Sequence, residues 1–431
     1  MDLVCEQAHL EGAVTIPGSK SHTIRAVAIA SLAAGVSDIR RPLESDDARA
    51  AVRLYRALGA AIDTEPDSWR IAGTGGELRA PDDIIDVGNS GTTLRIGMGS
   101  CALLRDGAVV LTGDGQIRRR PCGPLGESLN DLGAKCLFTR GNGCAPLVVQ
   151  GRLGGGETTI DAVTSQYLTS LLLCAPLADG DSVIRVPVLN ERPYVDMTLD
   201  WMTRQGITFE HEDGDDGQVA VFRVPGEQQY APTTRPIPGD FSSATFFLGA
   251  GALGDNEIVL HGLDMHDTQG DKSVVDCVSR MGARVDVRGD AIRVRAENLA
   301  GCDIDLNATP DALPMLAVLG CFAEGTTRLV NVPQARLKET DRIAVMREEL
   351  TKLGARVSEL PDGLVVEQSA LHGAEVDGHG DHRVVMALAV AGTAIEGRTT
   401  VHGYEAVTVT YPGFVDALTE LGGAVQTVGQ T

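Results

Sequence analysis

The chain has 431 residues, too many for one ordinary hydrophobic core, so two domains are expected. Its composition, 43% apolar and 22% charged, is that of a soluble globular protein, and only 4% aromatics leave Ala, Val, Leu and Gly to fill the core. The formal net charge of −22 excludes a general nucleic-acid binder, which needs a basic face, yet 37 Lys and Arg can still converge locally on a small anion. Nine Cys without a CxxC pair, and a start Met1-Asp2-Leu3 that lacks a basic-plus-apolar leader, predict reduced thiols, no secretory signal and a cytoplasmic location. No apolar stretch is long enough for a membrane span.

The chain opens on a β-like run over residues 3–16 that has no helix of its own. A pattern then recurs six times: a small-polar helix start, an apolar helix, a β-like run, and a second helix ending at Gly. The first helices are predicted over residues 24–34, 94–104, 167–177, 244–253, 312–323 and 384–395. Each is apolar nearly all round, as a buried helix is. The second helices, over 46–58, 125–132, 195–204, 272–281, 341–353 and 414–421, mix charged and apolar residues and should keep one wet face. Strand signals lie at 109–112, 183–186, 257–260, 328–331 and 399–402.

A period of about 70 residues is too long for a short solenoid unit but fits a complete βαβαβ-type module. Three modules fill residues 18–224 and three fill 238 to the C-terminus, with the Pro- and Thr-rich segment 229–238 as the crossing. The leftover run 3–16 is expected to complete the last module. That makes a discontinuous domain of 1–17 and 238–431 around an inserted domain of 18–237, with a substrate cleft between two similar α/β lobes.

The starts of the buried helices carry Lys20-Ser21, Asn89-Ser90-Gly91-Thr92, Thr164-Ser165-Gln166, Asp240-Phe241-Ser242, Thr309-Pro310-Asp311 and Asp381-His382-Arg383. Ser, Thr, Asn and Asp there account for ordinary capping. The additional Lys, Arg, Gln and Asn suit an anion held at helix N-termini. Arg25 lies about one turn past Ser21 on the same helix. Arg118-Arg119-Arg120-Pro121, Glu191-Arg192-Pro193-Tyr194 and Lys338-Glu339-Thr340-Asp341-Arg342 precede second helices at equivalent places in the repeat. Such runs are either solvated faces or one shared edge for phosphate and carboxylate. Pro17-Gly18-Ser19-Lys20-Ser21 is not a P-loop, because Ser19 separates Gly from Lys. His379, Asp381 and His382 give no complete metal-ligand set.

At these residues the sequence closely resembles the 5-enolpyruvylshikimate-3-phosphate synthase family over nearly its whole length. The motifs that carry the resemblance are Pro17–Ser21 with Arg25, Gly88–Arg95, Arg120-Pro121, Ser165-Gln166, Arg192-Pro193-Tyr194, Asp311, Lys338–Arg342, Asp381-His382-Arg383 and Tyr411-Pro412, in that order. The resemblance implies an α/β fold of two similar domains, each of three βαβαββ repeats in an inside-out α/β barrel. It implies transfer of the enolpyruvyl group of phosphoenolpyruvate to the 5-hydroxyl of shikimate 3-phosphate, with release of phosphate. No cofactor or metal is implied, no nucleic-acid or membrane partner, and a monomer.

By the same resemblance Lys20 and Glu339 manage protons at the phosphoenolpyruvate methylene, and Asp311 is the base near the attacking hydroxyl. Groups of this kind contribute roughly 10²- to 10⁴-fold in rate. Lys20, Gly91, Arg120, Gln166, Arg342 and Arg383 are expected to hold phosphoenolpyruvate, with Asn89 and Thr92 shaping the wall beside Gly91 and His382 near the phosphate end. Lys20, Ser21, Arg25, Thr164, Ser165, Gln166, Tyr194, Asp311, Gln334 and Lys338 are expected to hold shikimate 3-phosphate. Gly91 should leave room for glyphosate, the family's inhibitor.

The chain departs from many relatives at Thr164, where they have Ser, and at Glu191, where they have Ser. A carboxylate beside a substrate phosphate is repulsive, so Glu191 is expected to turn away or pair with Arg192, outside the site. Val409 stands where some relatives have Lys, and Ile96 where some have Pro. Two other readings fit these residues less well. The UDP-N-acetylglucosamine enolpyruvyl transferases share the fold but have Lys-Asn where this chain has Lys20-Ser21, and usually a Cys where it has Gly115. A non-catalytic anion-binding paralogue would not need Lys20, Asp311 and Glu339 together.

Overall fold

A computed structural model describes residues 1–214 and 219–429. The chain divides into two compact units, one of Met1–Ser19 with Pro238–Thr431 and the other of Lys20–Ile237. The chain thus passes between units two residues later than residue 17, at the polar turn where the first helix begins. Each unit has its own apolar core.

The inserted unit holds helices α1 (Lys20–Leu32), α2 (Asp46–Ala57), α3 (Gly91–Cys101), α4 (Gly123–Asp131), α5 (Ser165–Cys174) and α6 (Arg192–Arg204). The discontinuous unit holds α7 (Phe241–Gly251), α8 (Val274–Arg280), α9 (Leu313–Phe322), α10 (Arg342–Lys352), α11 (His382–Ala394) and α12 (Phe414–Glu420). The odd-numbered helices are the apolar ones, and every residue of α3 and α7 is buried. Five of the six begin two to four residues before the expected apolar run, because the polar first turn already belongs to the helix. The even-numbered helices keep a wet face, and all six end identically. Gly59, Gly133, Gly206, Gly282, Gly354 and Gly422 follow the last helical turn at positive φ, where a Cβ would be strained.

Each repeat closes on a four-stranded sheet. In the second repeat the order is Ile85–Asp86, Leu103–Thr112, Leu147–Arg152, Lys135–Phe138, with the first pair parallel and the other two antiparallel. All six sheets follow this order. They remain six separate sheets, and among the described residues no run of strands closes into a barrel. In the discontinuous unit α7, α9 and α11 pack against one another, leaving sheets and wet helices outside.

The run 3–16 is two strands rather than one. Asp2–Glu6 lies antiparallel to Arg398–His402 and Ala424–Val428 and so completes the sixth repeat. Glu11–Thr15 lies parallel to Glu257–His261 and opens the fourth. The crossing segment likewise contains a strand, Thr234–Pro236, which lies parallel to Val36–Arg40 and opens the first repeat. Pro236 is tolerated because this strand is at a sheet edge. No described helix is long and apolar enough to cross a membrane.

Candidate active site

In the inserted unit the expected residues gather at the starts of α1, α3 and α5. Lys20, the first residue of α1, sets Nζ 3.2 Å from Oδ2 of Asp47 at the start of α2. Arg25, one turn on, is only 2% exposed. Its guanidinium donates to Oγ1 of Thr198 (3.0 Å) and Oγ1 of Thr169 (3.1 Å), and to the carbonyls of Ser21 and Tyr194 (3.0 Å each). All four acceptors are neutral. Burial pushes Arg25 down to about 10, so it keeps its proton at neutral pH.

At α3, Ser90 caps the helix by accepting from the Thr93 amide, and Gly91 is the first helical residue. A Cβ on Gly91 would stand 2.5 Å from Nη1 and 2.6 Å from Cζ of Arg120, so Gly is what lets the Arg120 guanidinium lie against the helix start. Asn89 donates through Nδ2 to Asp114 and Gln116 at 2.7 Å each, while its buried Oδ1 has no hydrogen-bond partner among the described residues. Gln166, in the first turn of α5, donates to Oγ1 of Thr92 at 3.1 Å and accepts from Nη1 of Arg95 at 2.6 Å. One side chain therefore ties the starts of α3 and α5 together.

The second cluster, in the discontinuous unit, is built around Arg342, the first residue of α10, which is 1% exposed. Its Nη1 donates to Asp311 at 2.6 Å, its Nη2 to Glu339 at 2.7 Å, and its Nε to Asp381 at 2.7 Å. Burial alone would lower this guanidinium, but the carboxylates of Asp381, Glu339 and Asp311 outweigh burial and hold it above its ordinary value. Arg383 lies 3.0 Å from the other oxygen of Asp311, and Lys338 is 3.8 Å from Asp311. Asp381 also caps α11 by accepting from the Arg383 amide. His382 is buried beside it. Gln334 donates to the Asn307 carbonyl at 3.0 Å, and its Oε1 has no hydrogen-bond partner among the described residues.

Asp311 and Glu339 are thus both fixed by one cation, an arrangement that can hold an acid and a base in set positions while proton transfer occurs. The inserted unit's cluster suits anion binding, since it combines helix N-termini with a buried cation that has only neutral acceptors.

Three residues were not assigned a place by sequence reasoning. Arg95 and Asp381 lay inside matched motifs but carried no expected role. Asp47 gave no signal beyond being an acid in a first turn.

Glu191 contradicts its expectation. It is 2% exposed and turned inward, and Oε2 accepts from the amide and hydroxyl of Ser165 (3.0 and 2.7 Å) and from the hydroxyl of Thr164 (3.2 Å). Arg192 pairs instead with Asp196 and Asp213, 2.7 Å each. The backbone decides this. Glu191 stands just before α6 at φ 56° with no side-chain cap bond to that helix, and a bridge between Ala162 and Leu189 holds its segment beside the start of α5.

Glu348, Glu349 and His379 are the described side chains grouped closely enough to hold a metal ion. Glu349 is fully buried, and its oxygens already accept from Lys352 and from the Asp377 amide, with His379 Nε2 2.7 Å away.

A family model described as EPSP synthase (3-phosphoshikimate 1-carboxyvinyltransferase) matches residues 4–418. Proteins named 3-phosphoshikimate 1-carboxyvinyltransferase from Ruminiclostridium cellulolyticum and Acetivibrio thermocellus are 50% and 53% identical. Each alignment covers 99% of this chain and all of the relative. The solved EPSP synthase from Acinetobacter baumannii superposes with a TM-score of 0.82 at 25% identity, over 99% of this chain and all of that one.

Proposed function

We propose that this chain, which belongs to the EPSP synthase family, transfers the enolpyruvyl group of phosphoenolpyruvate to the 5-hydroxyl of shikimate 3-phosphate. The observation that carries the reading is the clamp of Asp311 and Glu339 on the buried Arg342 guanidinium. A protein that only bound an anion would gain nothing from a buried cation already shared among three carboxylates. Proton transfer needs such groups held still.

The reaction runs by addition and elimination. The acceptor oxygen bonds to C2 of phosphoenolpyruvate, the methylene carbon takes a proton, and the hydroxyl proton leaves to a base. The adduct then loses a proton from the new methyl group and expels phosphate, restoring the double bond. In this reading Asp311 accepts the hydroxyl proton, while Lys20 and Glu339 deliver and recover the proton at carbon. Arg120 against Gly91, together with Gln166, Arg342 and Arg383, binds phosphoenolpyruvate, with Asn89, Thr92 and His382 around it. Ser21, Arg25, Thr164, Ser165, Tyr194, Gln334 and Lys338 bind shikimate 3-phosphate. The enzyme works as a cytoplasmic monomer and needs neither metal nor cofactor.

The test is phosphate release from the protein mixed with both substrates. Release that requires both supports the reading. Release with UDP-N-acetylglucosamine in place of shikimate 3-phosphate would assign the related activity instead, and binding without turnover would leave an anion-binding protein.

A further inference from the structure

The inward turn of Glu191 puts a carboxylate where the reading above puts a phosphate. The start of α5 offers the Ser165 amide and the hydroxyls of Ser165 and Thr164, and Glu191 Oε2 takes all three. The same neighbourhood contains the buried Arg25 guanidinium, whose hydrogen-bond acceptors are all neutral. A helix N-terminus and a desolvated cation together favour an anion. The chain supplies one from its own sequence.

The attachment is by the side chain. The Glu191 backbone is held in place, since its carbonyl accepts from the Tyr194 amide at 3.0 Å and the preceding Asn190 amide donates to the Ala162 carbonyl at 3.1 Å. Thr164 and Ser165 are therefore released by a turn of the Glu191 side chain with the loop backbone kept in place.

We propose that Glu191 is a displaceable internal anion: its carboxylate holds the donors at the α5 start until the phosphate of shikimate 3-phosphate takes them and turns it out. The inference rests on Thr164 and Ser165 binding that phosphate. Its consequence is selectivity. A phosphate brings up to two negative charges and three acceptor oxygens, enough to replace one carboxylate. Shikimate without its phosphate has nothing to exchange for the three bonds, so the acceptor is recognised partly by its power to displace Glu191.

The test is calorimetric titration of the full chain and two variants with shikimate 3-phosphate and with shikimate. Glu191→Gln keeps the shape and removes the charge. Glu191→Asn is too short to reach Ser165, and Asn tolerates the positive φ of this position better than most residues. Affinity for shikimate 3-phosphate should rise from wild type to Glu191→Gln to Glu191→Asn, by about tenfold in all, a difference of about 1.4 kcal/mol. Affinity for shikimate should stay within about twofold, since no phosphate competes for these donors.

Equal or weaker binding of shikimate 3-phosphate by both variants, with wild-type melting temperatures, would overturn the inference and leave Glu191 as a cap. A gain for shikimate as large as that for its phosphate would overturn it too, since no exchange of anions would be involved. If wild type and both variants fail to bind shikimate 3-phosphate at all, the reading of the site fails and the inference with it. A structure of the complex that kept the 3.0 Å bond from the Ser165 amide to Glu191 would also refute displacement.

Discussion

Arg25 and Arg342 are both buried arginines near helix starts, one in each unit, and their surroundings are opposite. Arg25 donates to two hydroxyls and two carbonyls, so its charge is solvated but not neutralised by those bonds. Arg342 donates to three carboxylates. A guanidinium whose hydrogen bonds go to neutral acceptors keeps its positive field for an anion that can be exchanged, Glu191 in the free chain and a substrate phosphate when one binds. Among carboxylates its field is spent, and its rigid fork becomes a jig that sets the positions of Asp311, Glu339 and Asp381. The same residue type thus attracts charge in one unit and positions acids in the other.

Removing the two arginines tests this contrast most directly. Arg342→Met leaves three carboxylates without their shared partner, and breaking a buried pair costs about 3–5 kcal/mol. Urea unfolding should show a loss of that size, and turnover should vanish; a loss under about 1 kcal/mol would remove the jig from the account. Arg25→Met takes a cation away from Glu191, but the groups that lose hydrogen bonds are hydroxyls and carbonyls, so the loss should be smaller, about 1–3 kcal/mol. Its main effect should be on binding, with KM for shikimate 3-phosphate rising while KM for phosphoenolpyruvate stays nearly constant. Equal rises in both would mean that Arg25 supports the fold and not one substrate.

Gly91→Ala is the mildest of the three changes. The new Cβ meets the end of the flexible Arg120 side chain, which can move aside. KM for phosphoenolpyruvate should rise several-fold, on the scale of about 1 kcal/mol for a displaced guanidinium contact. Glyphosate inhibition should weaken, and binding of shikimate 3-phosphate should be unchanged. Unaltered inhibition would show that the Arg120 guanidinium does not mark the glyphosate site.

Much of the fold was legible because it is written locally. The apolar helices, their capped starts and the glycines after the second helices depend on residues within a turn or two of each other, and the repeat displays them six times. The strand pairing was less legible. Residues 3–16 read as one strand because each piece is short, and their partners at 398–402 and 257–261 are hundreds of residues away. The motifs named most of the residues now grouped around Arg342 and Gln166, because those groups project from helix starts whose positions the repeat already set. Arg95 stood in plain view within its motif without a role, since nothing in the chain says that its guanidinium meets Gln166.

The six modules, the buried and wet helices, the family and the residue types at each helix start can all be read from the order of the residues. Which of those charges meet is set by the folded chain. That Arg342 gathers three acids, that Arg25 meets none in its hydrogen bonds, and that Glu191 turns in toward Ser165 follow from where separate repeats place their backbones. Charge pairing depends on distance in space, and a sequence records order along the chain.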